Sequence, residues 1–315
     1  MNNLTIVGAG TAGISLAQDL RSRDAAIPIT VIEKNSYWVS RKKYWDNLAI
    51  KEKTYLPDWA KEKNITLVQD EVDRVNPERK KIYLKNSEPQ NFGTLIIAAG
   101  LKSREIPAKG GHRDGFVYLS DIDPFKVRDL LKISSDAVVY AATALGLRLA
   151  GSLKAAGKDV TVVAGDWSFL GDDKAVVLNA LSDSGIAVYS DSVIEEAIGE
   201  GTVRAVKLSP LKVLSAQMLF VDSGFTPNYN FFDQPLVRDG AFSTNHTDVY
   251  LLGDAAVSDI ENERFFLNNF DDCLIQSRAL ADFLCDGKPP HFERRIVSAE
   301  EKKRYCGGCL KPKAV

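Results

Sequence analysis

The sequence predicts an α/β protein with a largely parallel sheet, organised around two strand–turn–helix–strand units. Three observations carry this expectation. Short apolar runs alternate with helical ones along the chain, the pattern of stacked helix and sheet layers. A glycine-rich turn, Gly8-Ala9-Gly10-Thr11-Ala12-Gly13, follows the first of those runs. A second unit of the same plan begins at Ala137, about 130 residues later.

The first unit opens on a strand over residues 4–7, passes through the turn into a helix over 11–23, and returns as a strand over 29–33. Each glycine has a distinct task. Gly8 allows the tight turn out of the strand, Gly10 lets backbone approach a pyrophosphate, and Gly13 lets the helix pack on the sheet. Phosphates then sit against the free N–H groups and positive end of that helix. Glu33 falls 20 residues after Gly13, at a strand end where a carboxylate accepts hydrogen bonds from a ribose diol. A lone G-x-G-x-x-G is a weak signal. Here strand, glycines, helix, second strand and terminal acid occur in order within about 30 residues, the context the motif requires.

Downstream, residues 37–45 are irregular, aromatic and basic, and a helix follows that ends near Lys63. Short strands are expected at 65–68 and 80–84, and a buried strand at 94–98 that runs into Ala98-Ala99-Gly100. The second unit comprises a strand at 137–140, a turn over 141–146, a helix over 147–156 and a strand at 160–163.

With 315 residues and 45% hydrophobic content, the chain can form two domains of ordinary size. A formal net charge of −2 gives no pull toward nucleic acid or an anionic membrane. No apolar run approaches the roughly 20 residues that span a bilayer. Four cysteines are too few for a disulfide scaffold in a chain of this length. No secretory signal precedes the first strand, and a cytoplasmic protein is expected.

Taken together, the GAGTAG turn, Glu33, Ala98-Ala99-Gly100, Gly224-Phe225-Thr226-Pro227-Asn228 and Leu252-Gly253-Asp254-Ala255 resemble the flavoprotein disulfide-reductase superfamily, from about residue 4 to residue 288. The segment from Val39-Ser40-Arg41 to Leu48-Ala49 looks like that of its rubredoxin, ferredoxin and nitrite reductase branch. The resemblance implies two Rossmann-like domains. One is an FAD domain made of 1–117 and 223–290, the other an inserted NAD(P)-binding-like domain over 118–222, and a basic tail follows at 291–315. It assigns FAD to Gly8, Gly10, Thr11, Ala12, Gly13, Glu33, Lys34, Arg41, Val72, Ala98, Ala99, Gly100, Gly253 and Asp254. Within that set Arg41 would lie near the pyrophosphate, Val72 would offer backbone to adenine, and Asp254 would bond the ribityl chain.

The chain departs from the family in four places. Ala141 and Thr143 stand where the second unit's first two fingerprint glycines belong, and Ala164 where its ribose-binding acid belongs, with Asp166 two residues on. A β-branched threonine puts bulk where backbone should touch phosphate, so ordinary NAD(P)H binding is not expected. Near flavin N5 the family's Lys and Glu are replaced by Asp46 and Arg148, a pair with its signs exchanged. The redox cysteines of the disulfide-reducing members are missing. The family's C-terminal domain is not expected, and in its place are Cys306-Gly307-Gly308-Cys309 among Arg294, Arg295, Lys302, Lys303 and Arg304. That C-x-x-C suits a redox dithiol, zinc or an iron–sulfur cluster, and Cys273 and Cys285 are further candidate ligands if the tail folds back. A basic tail beside a bare flavin face suits an acidic electron carrier or partner subunit.

These expectations leave three functions open. One is an FAD-dependent oxidoreductase passing electrons between a protein partner and a second donor or acceptor other than free NAD(P)H. Another is an NAD(P)H-dependent rubredoxin or ferredoxin reductase, and the third a non-catalytic, FAD-stabilised subunit of a redox complex.

Overall fold

The computed structural model describes residues 3–40, 44–45, 48–234, 236, 242–256 and 270–288. Two five-stranded parallel sheets organise them. The first runs Val249–Leu251, Thr94–Ile97, Leu4–Val7, Ile29–Ile32, Thr66–Val68 in spatial order. The second runs Phe116–Tyr118, Met218–Asp222, Asp136–Ala141, Asp159–Val163, Ala187–Tyr189. The two orders correspond strand for strand. In each, the strand that leads into the turn lies at the centre, with the strand its own helix returns to on one side and a strand from far downstream on the other. Both central strands are covered on both faces, which is why they read as continuous apolar runs rather than alternating ones.

The helix Thr11–Arg23 buries Leu16, Ala17 and Leu20. It packs with the long helix Phe270–Asp286, whose Leu280 and Ala281 enter the same core. In the second unit the helix Ala144–Ala155 buries Leu147, Leu149, Ala150 and Leu153 against its own sheet. It starts three residues before the expected 147 because Thr143 caps it: the Thr143 hydroxyl accepts from the Leu145 N–H at 3.2 Å.

The segment expected to be irregular forms a strand, Tyr37–Val39, antiparallel to Lys53–Tyr55. The helix expected to end near Lys63 spans Leu56–Glu62. Two antiparallel three-stranded sheets were not anticipated as such. One comprises Val72–Asn76, Lys81–Leu84 and Gln90–Asn91, the other Val193–Ile198, Ala205–Ser209 and Lys212–Ser215. The first is anchored by buried Asp70, whose carboxylate accepts from Ser87 Oγ, Glu71 N, Asn86 Nδ2 and Asn86 N at 2.6–3.1 Å. Those donors, the Ser87 hydroxyl foremost, hold its pKa at about 2.

A short antiparallel ladder, Leu101–Ser103 with Phe225–Pro227, joins the two chain passages between the sheets. Tyr44, Trp45 and Leu48, from the part of the chain before the inserted unit, are buried in that unit's core. Among the described residues no helix is long and apolar enough to cross a membrane.

Candidate dinucleotide site

The first unit's turn lies at the carboxyl end of its sheet, beside the strand Thr94–Ile97 where strand order reverses, the usual place for a ligand in an open α/β sheet. Its three glycines are required for different physical reasons. Gly8 has φ +103°, and a Cβ there would meet the Ala98 carbonyl oxygen at 2.6 Å. A Cβ on Gly13 would meet the Gly8 carbonyl oxygen at 2.0 Å, so the helix is seated directly on the turn. Gly10 differs from both: its φ is an ordinary −73°, and a Cβ there would meet nothing within 4 Å. The open space beside Gly10 is where an approaching ligand would lie. As N-cap of the helix, Gly10 contributes no side-chain acceptor, which leaves the positive helix start open to an anion.

Glu33 reaches back to this turn. Its Oε2 accepts from the Ala9 N–H at 2.9 Å, while Oε1 accepts from the Asn35 backbone and side-chain nitrogens at 2.9 and 2.7 Å. A carboxylate oxygen has two acceptor sites, so Oε1 is filled and Oε2 retains one. The carboxylate is thus fixed by the turn with one acceptor left to offer. Lys34 is exposed and 3.9 Å from Glu71. Val72 begins the antiparallel hairpin and packs at the edge of the first unit's second core cluster.

From the other side, Ala98 is buried, and Gly100 takes φ +71° while its carbonyl accepts from the Asn228 N–H. The strand Val249–Leu251 pairs with Leu95–Ile97 and delivers Gly253 and Asp254 to the same sheet end as a short turn, Gly253–Ala256. Gly253 has φ +67° and lies so close to the first helix that a Cβ would meet Ala12 Cβ at 2.8 Å. The long C-terminal helix holds this approach: Gln276 Oε1 accepts from Gly253 N at 3.1 Å, and Ser277 Oγ lies between the Cys273 carbonyl of its own helix at 2.7 Å and the Ala12 carbonyl at 3.0 Å, with one proton to give to either. Sequence reasoning missed Gln276 and Ser277. Their signal is a pair of polar residues on the buried side of an amphipathic helix.

A family model for pyridine nucleotide-disulphide oxidoreductases matches residues 2–271. The chain belongs to that family. Relatives include a monodehydroascorbate reductase of Cucumis sativus, 28% identical over 64% of this chain and 51% of its own length. A rubredoxin-NAD(+) reductase of Pseudomonas putida is 22% identical over 91% of this chain and 81% of its own length. The chain thus spans about half the length of the monodehydroascorbate reductases it matches. Among solved structures, the putidaredoxin reductase in a covalent complex with putidaredoxin shares the fold, with TM-score 0.76 at 24% identity, covering 93% of this chain and 77% of that one.

Arg41, Asp46, Cys306 and Cys309 lie outside the described residues. Arg148 is half-buried on the helix Ala144–Ala155, and the Trp45 carbonyl accepts from Ser152 Oγ one turn further along that helix at 2.8 Å. Cys273 is buried in the core between the first and last helices, and Cys285 packs at its edge. Burial, ahead of the opposing pull of Arg23, pushes the Cys285 thiol pKa up. No group of three or more metal-ligating side chains occurs among the described residues.

In the second unit, Ala141 ends the central strand, Thr143 caps the helix, and Ala164 is fully buried after the next strand. The group that sequence reasoning missed here is Asp222. It ends the strand Met218–Asp222, is fully buried, and turns its carboxylate onto the Thr143–Gly146 turn. Its only sequence signal is an acid closing the run Met-Leu-Phe-Val.

Proposed function

We propose that the protein is an FAD-dependent oxidoreductase that passes electrons between a protein partner and a second donor or acceptor other than free NAD(P)H. The observation that carries the FAD reading is the open, uncapped helix start at Gly10 with Glu33 fixed beside it. A pyrophosphate needs that helix start and an adenosine ribose needs the carboxylate. On this reading Gly8, Gly10, Thr11, Ala12 and Gly13 cradle the phosphates, and Glu33, with Lys34 alongside, meets the ribose. Val72 faces the adenine, while Ala98-Ala99-Gly100 and Gly253-Asp254 line the flavin end, with Arg41 near the pyrophosphate. Bound FAD supplies electron transfer, and the protein positions it and tunes it. Asp46 and Arg148 are the proposed pair beside the reacting ring. The domain division follows the same reading, 1–117 with 223–290 around 118–222, the join falling at Phe116–Tyr118. A protein partner is supported by the relative that is named a rubredoxin reductase. The acidity of that partner, a metal or dithiol at Cys306 and Cys309, and a cytoplasmic location belong to the same proposal.

The names of the relatives favour a second reading, an ordinary NAD(P)H-dependent reductase, since one is named for NAD(+). The two separate in one experiment. Anaerobic mixing of the flavin-loaded protein with sub-millimolar NADH or NADPH should leave the visible flavin band essentially unbleached over seconds, while dithionite bleaches it. Bleaching at tens per second, ordinary for enzyme turnover, would establish the NAD(P)H-dependent reading instead.

A further inference from the structure

The two units can be compared position by position, because their sheets have the same strand order. In the first, Val7 pairs with Ile97, so Gly8 faces Ala98; in the second, Ala141 pairs directly with Asp222. Matching Gly8 with Ala141 and Gly13 with Gly146 therefore matches Ala98 with Asp222. The glycines agree: a Cβ on Gly13 would find Ala98 Cβ at 3.4 Å, and one on Gly146 would find Asp222 Oδ2 at 2.8 Å. Where the first unit has a methyl group under its helix start, the second has a carboxylate.

That carboxylate uses the donors of the turn. Asp222 Oδ2 accepts from Thr143 N at 3.0 Å, Thr143 Oγ1 at 2.7 Å and Gly146 N at 2.9 Å. The Thr143 hydroxyl meanwhile accepts from Leu145 N. The cap residue and the second and third helical residues thus all have internal acceptors, whereas the first unit's helix has no side-chain cap. Asp222 is fully buried, and the Gly224 backbone N–H is a further donor toward its carboxylate. Burying a carboxylate is expensive; convergence of three donors and a helix N-terminus on one oxygen is what offsets the expense. Burial still outweighs those donors and pushes the carboxyl pKa up.

We propose that Asp222 is a built-in anion of the second unit, filling its helix start and excluding the pyrophosphate of NAD(P)H from it. A phosphate arriving there meets donors already engaged and a like charge beneath them. Loss of the fingerprint glycines and of the ribose acid weakens the site; Asp222 closes it. This rests on the reading that the second unit does not take NAD(P)H, and adds a cause that Thr143 and Ala164 do not supply.

The test measures ADP-ribose binding, by calorimetry on the flavin-loaded protein, to four forms. They are wild type, the double variant Thr143→Gly/Ala164→Glu, and that double variant carrying either Asp222→Ala or Asp222→Asn. ADP-ribose carries the ribose and pyrophosphate without reducing chemistry. Wild type and the double variant should bind weakly, and removing the Asp222 charge should tighten binding at least tenfold over the double variant. Asp222→Asn keeps the side chain's shape, so it carries the test if the alanine form fails to fold, as judged by circular dichroism and flavin content. A double variant that binds as tightly as the folded triple variants overturns the role of Asp222 and leaves the proposed function standing. Tight binding by wild type, with rapid flavin reduction by NADH, overturns both.

Discussion

Replacing Gly10 with leucine is expected to leave the chain folded and free of flavin. The backbone there has φ −73°, which any residue adopts, and a Cβ would meet nothing within 4 Å. The side chain would therefore be accommodated, but in the space that the pyrophosphate needs. Displacing phosphate from N–H donors forfeits charge-assisted hydrogen bonds of about 1.5–3 kcal/mol each. Losing two takes affinity down by at least about a hundredfold, at about 1.4 kcal/mol per tenfold. Flavin absorbance per chain after gel filtration, with circular dichroism as the folding control, checks this. A folded Gly10→Leu protein with full flavin content would mean that the open space is not a phosphate site.

Gly13→Ala should have the opposite character, damaging the fold before the site. Its Cβ would lie 2.0 Å from the Gly8 carbonyl oxygen, and Gly8 cannot retreat because it is itself wedged against Ala98 at φ +103°. Inserting a methyl into a closed contact costs about 1–3 kcal/mol, more where neither backbone can yield. At about 2–4 °C per kcal/mol for a domain of this order of size, the melting temperature of the flavin-free protein should fall by several degrees. Excess FAD should restore little of it. A Gly13→Ala protein melting with wild type would show that helix and turn are not in closed contact. The two substitutions, three residues apart, thus separate the glycine that makes room for a ligand from the glycine that holds the turn.

The glycine turn, the alternation of strand and helix, and the second unit were legible because each is local. A buried parallel strand is a short apolar run, and a turn needing positive φ shows as glycine. Glu33 was legible as a strand-end acid, but not its hydrogen bond to Ala9, which depends on how the second strand returns. Thr143 shows most clearly where the sequence runs out. By itself it reads as bulk in a phosphate site. In the fold it caps its own helix and donates to Asp222, a residue 79 positions away that the strand pairing brings opposite Ala141. Of the two antiparallel sheets only the strand near 80–84 was expected, for a related reason: short strands stabilised by cross-strand partners carry little signal of their own.

The first unit is proposed as a site for an adenine dinucleotide flavin. The most direct test is acid release and chromatography of the flavin from purified protein, or from protein refolded with excess FAD. FAD is expected, non-covalently held and close to one per chain. FMN in its place, or a chain that retains no flavin after refolding with FAD, would contradict it.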